Sequence, residues 1–414
     1  MLKTYFSRQR TQAYYYTGAA GPYLDAFVQW LEQSGYCHKT IRRRIGGAAQ
    51  FAAWAGAAGK AIVELDGAIL SAFGRYLAQH GQLRHPSGNC TARFLGAQLF
   101  LAFLATQGIV SMPVKAWTCS SLPDPLADFQ HWMRTQRGVT ESTLRNYQPI
   151  LLDLLETLGE RAEQFTAKRL REFVLDRAHR HGKGRAKTVV TAVRMFLRFL
   201  IATGGCEPGL EQAIPTIAQW RLSSLPRYLP PETIERIIAA CDTSTPLGIR
   251  DKAIILLMAR LGLRAGDAAG LRLSDIDWQQ GTLVVTGKTR RATRLPLPQE
   301  AGDALLHYLE TVRPPIGCDK VFITTCAPWL PMSRQAVGHT AARAIQRADV
   351  EAPFLGAHVF RYSAATAMLR HGVSLQAISE VLRHASIETT AYYAKVDTQL
   401  LRQVVVPWPE VTPC

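Results

Sequence analysis

Residues 358–393 read H-V-F-R-Y-S-A-A-T-A-M-L-R-H-G-V-S-L-Q-A-I-S-E-V-L-R-H-A-S-I-E-T-T-A-Y-Y, and the polar residues of this segment organise the interpretation of the rest of the chain. His358 and Arg361 are three residues apart, so they share one face of a predicted helix. A second short helix is predicted from Ser374 to Arg383, with Ser374 as its N-cap. The polar side chains therefore stand at the ends of short helices, where they can converge on one ligand.

A third short helix is predicted directly after His384. Either Ser386 or Thr389 can cap it, and it would project Tyr392 or Tyr393. A phosphate group fits among such converging cationic and phenolic groups. A histidine and an arginine alone are weak evidence, because polar side chains of this kind mostly lie on the surface. The interpretation therefore depends on other segments of the chain.

Two upstream segments supply further candidate residues. G-L-R-A-G-D-A-A-G-L-R-L-S-D-I-D, at 262–277, follows an apolar helix and has Asp267 three residues after Arg264, where a carboxylate can orient the guanidinium. V-T-G-K-T-R-R-A-T-R-L-P-L, at 285–297, is predicted to form a hairpin that can reach into a groove of DNA. Its cations are Lys288, Arg290, Arg291 and Arg294.

The hairpin also contains G-K-T, the end of a nucleotide-binding P-loop. That motif requires four residues between its two glycines, whereas Gly281 and Gly287 enclose five, 282–286. It also requires a helix after the lysine, and R-R-A-T-R-L-P-L is typical of a turn and a strand. The pattern argues against a P-loop.

The first half of the chain is predicted to contain two copies of a four-helix unit. Y-L-D-A-F-V-Q-W-L (23–31) corresponds to P-L-A-D-F-Q-H-W-M (125–133), and F-L-A-F-L-A-T-Q-G (100–108) corresponds to F-L-R-F-L-I-A-T-G (196–204). Aromatic residues recur at i, i+3 and i+4, as on one face of a helix. Order and spacing agree at both ends, which favours a duplication over two unrelated amphipathic segments.

Positive charge is concentrated near predicted helix starts in both copies. The candidate DNA-binding residues there are Lys39, Arg42, Arg43 and Arg44 in the first copy, and Lys183, Arg185 and Lys187 in the second. Basic side chains and free N–H groups at helix starts suit phosphate binding. A solvated helix face is an equally good explanation of any single patch.

Composition narrows the class of protein. The 414 residues carry a formal net charge of +16, which favours a polyanionic partner, with nucleic acid ahead of membrane. None of the 8 cysteines forms a C-x-x-C pair, so a zinc ribbon or disulfide framework is not expected. The N-terminus lacks an apolar signal core, and the apolar run 253–258 is too short to span a bilayer. We expect a cytoplasmic, reducing environment and no membrane partner.

The amino-acid composition changes after the second copy. Prolines between 208 and 231 indicate an extended linker, and the chain beyond it is mainly helical with one small antiparallel sheet. The predicted domains are 1–115 and 120–207, both helical, a linker at 208–228 and a C-terminal domain at 229–414. The predicted fold class is mainly α, with an α+β C-terminal domain.

The boxes G-L-R-A-G-D, V-T-G-K-T-R-R, H-V-F-R-Y-S and L-R-H-A-S-I-E-T-T-A-Y-Y, in this order, resemble the catalytic domain of the tyrosine recombinases, the phage integrase family, with Xer-type spacing. The resemblance covers about residues 225–396, and the first half resembles the family's helical core-binding domain. It implies a DNA recombinase that needs neither metal nor cofactor and works as a tetramer on two DNA sites, as a homotetramer or together with related recombinases. A mobile-element or transposon-borne integrase fits the extended N-terminus.

The resemblance also implies a role for each matching residue. Tyr393 corresponds to the nucleophile that attacks a DNA phosphate, Arg264 and Arg361 to the clamp on its oxygens, and Lys288 to the general acid. His358 corresponds to the residue that assists proton removal from the tyrosine, and His384 to a phosphate hydrogen-bond donor; Asp267 is a supporting residue. Singly, each has an ordinary structural explanation; jointly, at these spacings, catalysis is the better one.

Two departures from the family pattern and two rival functions stay open. The family has Leu-Gly-His where this chain has L-R-H at 382–384, and Tyr392 adjoins Tyr393, so the nucleophile is assigned by spacing. A topoisomerase-like relaxase of type IB would use similar residues without a partner site. A DNA-binding accessory protein with a silent site would retain the fold alone.

Overall fold

The computed structural model describes residues 1–80, 92–110, 123–161, 164–218, 226–286, 292–384 and 386–395, without the side chains of residues 183 and 394. Contacts divide the chain into two compact units, one of residues 113–221 and one that joins 1–112 to 222–414. The first helical copy thus shares a unit with the C-terminal segment. Within the described residues, no helix is long and apolar enough to cross a membrane.

Six α-helices belong to the first copy within the described residues. They are α1 (Leu2–Tyr5), α2 (Gln9–Thr17), α3 (Gly21–Gln33), α4 (His38–Ala57), α5 (Gly67–Gln79) and α6 (Ala92–Thr106). Helices α4 and α6 touch at two glycines: a Cβ on Gly47 would lie 2.5 Å from the carbonyl oxygen of Arg93, and one on Gly96 would lie 2.6 Å from that of Arg44. Only glycine permits so close an approach of two helix backbones.

The second copy, which lies in the other unit, has four α-helices in the part of the chain that the structure describes. They are α7 (Asp124–Arg137), α8 (Glu141–Leu158), α9 (Ala167–Arg180) and α10 (Lys183–Ala202). Helix α7 ends at Gly138, whose φ of 56° is left-handed, and the Thr166 hydroxyl caps α9 by accepting from Arg169 N at 3.3 Å.

The same aromatic cluster occurs in both copies. In the first, the ring of Phe27 lies 5.3 Å from that of Phe100 and 5.4 Å from that of Phe103. In the second, Phe129 lies 5.4 Å from Phe196 and 5.7 Å from Phe199. The tryptophan one turn later contacts the second phenylalanine at 6.0 Å in the first copy and 5.8 Å in the second. Recurrence of one packing arrangement supports the duplication.

The C-terminal segment is helical around one buried helix. Its helices are α11 (Pro231–Ala239), α12 (Pro246–Leu261), α13 (Ala265–Gly270), α14 (Gln299–Thr311), α15 (Arg334–Arg347), α16 (His358–Arg370), α17 (Leu375–Leu382) and α18 (Glu388–Ala394). Helix α12 is buried along residues 253–258, which explains why that run is continuously apolar. It packs against α14, α15 and α16, and so supports the segments that carry the candidate site.

The sheet is small and antiparallel, with strands β1 (Ile276–Asp277), β2 (Thr282–Thr286) and β3 (Ala292–Pro296) in that order. Leu283 pairs with Leu295, and both are buried, as is Val285. Their alternation with less buried residues is the period of a strand that covers the core on one face. The predicted fold class, mainly α with a small antiparallel sheet, is confirmed.

Candidate active site

The end of α12 positions the first candidate residue. Gly262 adopts a left-handed conformation, φ 59°, and a Cβ there would lie 2.6 Å from the side chain of Leu382. The chain therefore turns sharply and starts α13 directly after Arg264. The left-handed glycine is a typical helix terminator, as the sequence indicated.

Arg361 ties the ends of two helices together. It lies in α16, is only 3% exposed, and donates from Nη1 to the carbonyl oxygen of Gly262 at 2.6 Å and from Nη2 to that of Leu382. Burial and the nearby positive charge of Arg264 lower the pKa of Arg361 to about 10. The protein thus holds a desolvated cation at this place, which an anionic ligand would stabilise.

Arg264 approaches the same point from α13. Its side chain is 31% exposed, and Nη2 donates to the carbonyl oxygen of Arg383 at 3.4 Å. Burial lowers the pKa of this guanidinium as well. Arg264 and Arg361 therefore meet at two consecutive backbone carbonyls, those of Leu382 and Arg383.

Asp267 has a partner that the sequence did not predict. Its Oδ2 accepts from the backbone N–H of Arg264 at 3.1 Å, but lies 4.0 Å from that residue's side chain. The same oxygen accepts from Arg383 Nη2 at 2.6 Å, and both side chains of this pair are 6% exposed. The spacing in the sequence predicted Arg264 as the partner of this carboxylate, but the side chain of Arg383 lies closer to it.

His384 and Tyr393 stand side by side. Their rings are nearly parallel, at 12°, with centroids 6.2 Å apart, and His384 Nδ1 lies 2.7 Å from the hydroxyl of Thr390. Burial, then Arg361, Arg264 and Arg383, lower the pKa of His384 to about 4. Burial raises the pKa of Tyr393 to about 12, against the opposing effect of Arg361. At neutral pH the imidazole is uncharged and the phenol is protonated.

His358 opens α16 and keeps solvent-exposed surface. Its ring lies 6.1 Å from that of Tyr362, which in turn lies 5.9 Å from that of Tyr393. Partial burial and the charges of Arg334, Arg361 and others nearby lower its pKa below 6.5. His358 is therefore a neutral base at physiological pH, one aromatic ring away from the phenol.

The predicted hairpin cations are only partly within the described residues. Lys288, Arg290 and Arg291 lie outside them, in the segment 287–291. Arg294 lies on β3, exposed, with Nη1 4.0 Å from a carboxylate oxygen of Asp277. It stays available to a polyanion, because an exposed pair at that distance is weak.

The first basic patch is divided by the packing of α4. Lys39, Arg42 and Arg43 are exposed, and the guanidinium of Arg42 lies over the ring of Phe6 at 5.4 Å. Arg44 is mostly buried and donates from Nη1 to the carbonyl oxygen of Ala92 at 3.3 Å; burial lowers its pKa. Its guanidinium is therefore directed into the α4–α6 contact.

The second basic patch lies at the start of α10. Arg185 and Lys187 are exposed there, and the side chain of Lys183 is outside the described residues. Lys187 lines a shallow pocket together with Tyr147, Thr188 and Thr191. A cation beside hydroxyl donors at a helix start can hold a phosphate oxygen.

Sequence reasoning missed three residues of the site. Thr390 is fully buried and bonded to His384, Tyr362 stands between His358 and Tyr393, and the Arg383 side chain pairs with Asp267. The spacing of Thr390, six after His384 in L-R-H-A-S-I-E-T-T, gave no signal because His384 follows α17 whereas Thr390 lies in α18. Arg383 was visible only as a departure from the family's glycine.

The chain is similar to known proteins in sequence and in fold. Residues 227–399 match the phage integrase family. An integrase/recombinase of Sinorhizobium fredii is 34% identical over 95% of this chain and 95% of its own length, and the tyrosine recombinase XerD of Halalkalibacterium halodurans is 30% identical over 67% and 95%. The crystal structure of the XerH site-specific recombinase on palindromic difH substrate has the same fold, with a TM-score of 0.54, 18% identity and coverage of 81% and 93%. The chain therefore belongs to the phage integrase family and is a tyrosine recombinase, an enzyme that cuts and rejoins DNA strands.

Proposed function

We propose that this protein recombines DNA at specific sites through a 3′-phosphotyrosyl intermediate on Tyr393. The observation that carries the proposal is the convergence of Arg264, Arg361, His384 and Tyr393. The two guanidinium groups bond to the carbonyls of the two residues that precede His384, and the ring of His384 lies parallel to that of Tyr393. Side chains at the start of α13, in α16, just after α17 and in α18 thus surround one place.

The two arginines suit the charge that phosphodiester cleavage develops. Negative charge builds on the non-bridging oxygens, where fixed guanidinium donors stabilise it better than water does. Arg361 is held by two backbone carbonyls and needs no reorganisation when the phosphate arrives. Its depressed pKa reflects unfavourable burial of charge, and a phosphate would relieve it. Arg264 and Arg361 would form the clamp.

Proton transfer would be divided among three residues. With a pKa raised to about 12, the Tyr393 phenol needs a base, and neutral His358 can accept its proton. The Thr390 hydroxyl can donate to Nδ1 of His384, which leaves Nε2–H to donate to a phosphate oxygen. Lys288 would protonate the leaving 5′-oxygen, so that one strand end becomes a free hydroxyl.

Tyr393 needs to become accessible before it can attack. It is 2% exposed and packs in a cluster with Ile378 and Leu382 of α17. We expect α18, which carries the tyrosine, to shift when DNA binds. A buried nucleophile would keep the protein inactive away from DNA.

Double-stranded DNA is the proposed substrate, with a tetramer on two sites as the active assembly and a bacterial cytoplasm, at the nucleoid, as the location. The net charge of +16 and the exposed cations in each helical copy support DNA contact by both copies. Integration or transposition of a mobile element is the proposed biological reaction.

The experiment is a nicked suicide duplex built from inverted repeats that flank the coding region, incubated with the protein and resolved on a denaturing gel. We expect a covalent adduct with the wild type and with Tyr392→Phe, and none with Tyr393→Phe. If no flanking repeat gives an adduct, the proposal is contradicted. If the adduct is lost only in Tyr392→Phe, the nucleophile is Tyr392 and not Tyr393. Strand exchange between two sites, rather than relaxation of any supercoiled plasmid, separates a recombinase from a relaxase.

A further inference from the structure

Arg383 occupies a backbone position that normally favours glycine. It ends α17 in the left-handed conformation, with φ 55° and ψ 52°, and is one of two such non-glycine residues in the described chain, besides Asp349. A side chain there costs free energy that glycine avoids. An arginine that persists under this strain needs a compensating contact.

The compensating contact is a buried ion pair with Asp267. Arg383 Nη2 lies 2.6 Å from Asp267 Oδ2, and each side chain is 6% exposed. Nε and Nη1 of Arg383 are buried without a hydrogen-bond partner among the described residues. One carboxylate therefore stands among three guanidinium groups, those of Arg264, Arg361 and Arg383, and the site keeps an excess of positive charge.

Two of these arginines, Arg264 and Arg383, compete for that single carboxylate. Arg383 is bonded to it, whereas the side chain of Arg264 remains at 4.0 Å. The backbone of Arg383, turned by its left-handed conformation, also presents the carbonyl oxygen that accepts from Arg264 Nη2. The side chain of Arg383 therefore forms an ion pair with Asp267, while its backbone carbonyl accepts a hydrogen bond from Arg264.

We propose that Arg383 is a positioning residue of the phosphate clamp: it neutralises Asp267, so that the guanidinium of Arg264 remains free for the scissile phosphate. The inference rests on the proposed function, since it concerns the same site. A buried carboxylate without a partner is strongly unfavourable, so it recruits the nearest cation. Without the Arg383 side chain, that cation is Arg264.

The test is the single-turnover rate of cleavage of the suicide duplex by three full-length variants. Arg383→Gly, which restores the family's residue and relieves the backbone, should cleave at least about tenfold more slowly than wild type. The double variant Arg383→Gly/Asp267→Asn should recover most of that loss, because an uncharged amide can still accept from Arg264 N–H without holding its side chain. Asp349→Gly, which relieves the same conformation on an exposed turn, should leave the rate unchanged.

A purely structural role for Arg383 would lower the fraction of folded protein and leave the cleavage rate per folded molecule unchanged, so the rate is normalised to the folded fraction measured by circular dichroism. A loss smaller than tenfold in Arg383→Gly, or a folded double variant no faster than the single, would overturn the proposal. If the single variant fails to fold, the double variant decides, because it lacks the unpaired carboxylate: a rate near wild type supports the inference, and a low rate contradicts it. A wild type that forms no adduct would instead refute the proposed function.

Discussion

His384 should make the folded protein less stable in mild acid. Burial and three nearby arginines lower the pKa of His384 from 6.5 to about 4. The unfolded chain then binds one more proton than the folded chain between these two values. The free energy of unfolding therefore falls as the pH falls through that window. With respect to His384, the folded protein reaches its full stability only above about pH 6.5.

The size of the effect follows from the same shift. Between about pH 7.5 and about pH 5, protonation of the unfolded histidine alone should lower the free energy of unfolding by about 2 kcal/mol. His384→Gln removes this titration while it keeps a side chain that can bond to Thr390. The wild type should therefore lose about 2 kcal/mol more than the variant over that interval.

Two measurements check the prediction. Urea unfolding of wild type and His384→Gln at both pH values gives the difference in stability, with His371→Gln, on the exposed end of α16, as the matched control. An NMR titration of labelled histidines should contain one signal with a pKa near 4 that His384→Gln removes. Equal pH dependence in the two proteins, or a His384 pKa at or above 6.5, would refute the reasoning.

Three further predictions concern the reaction and the DNA. In His358→Gln, loss of the base should make single-turnover cleavage rise about tenfold per pH unit, because burial holds the pKa of Tyr393 near 12; a flat profile counts against this. In Arg361→Lys, the lysine cannot bridge two carbonyls, so the rate of cleavage measured on the denaturing gel should fall by about 10²–10³-fold. A smaller loss would show that Arg361 does not bind the phosphate. Arg185→Ala with Lys187→Ala should lower the slope of log affinity against log salt by about 1 per charge in fluorescence anisotropy; an unchanged slope excludes phosphate contact.

Local patterns in the sequence determined the elements and the order of the boxes. The glycine at 262, the serine at 374 and the apolar run at 253–258 predict a helix end, a helix start and a buried helix, each from near neighbours. The aromatic spacing around Phe27 and Phe129 predicted the repeated cluster for the same reason. These features depend on helix and strand periodicity, which a few consecutive residues express.

Which side chains contact each other in the site depends on the packing of distant segments. Asp267 lies three residues from Arg264 in the sequence, yet its carboxylate bonds to Arg383. The guanidinium of Arg383, at the end of α17, lies 2.6 Å from the carboxylate, whereas that of Arg264 lies 4.0 Å from it. Arg44 belongs to a basic run, yet two glycines bring α6 so close that its guanidinium turns inward. The burial of Tyr393 likewise depends on the packing of α18 against α16 and α17. Such choices are set by distances between elements far apart in the chain, and spacing along the chain does not contain them.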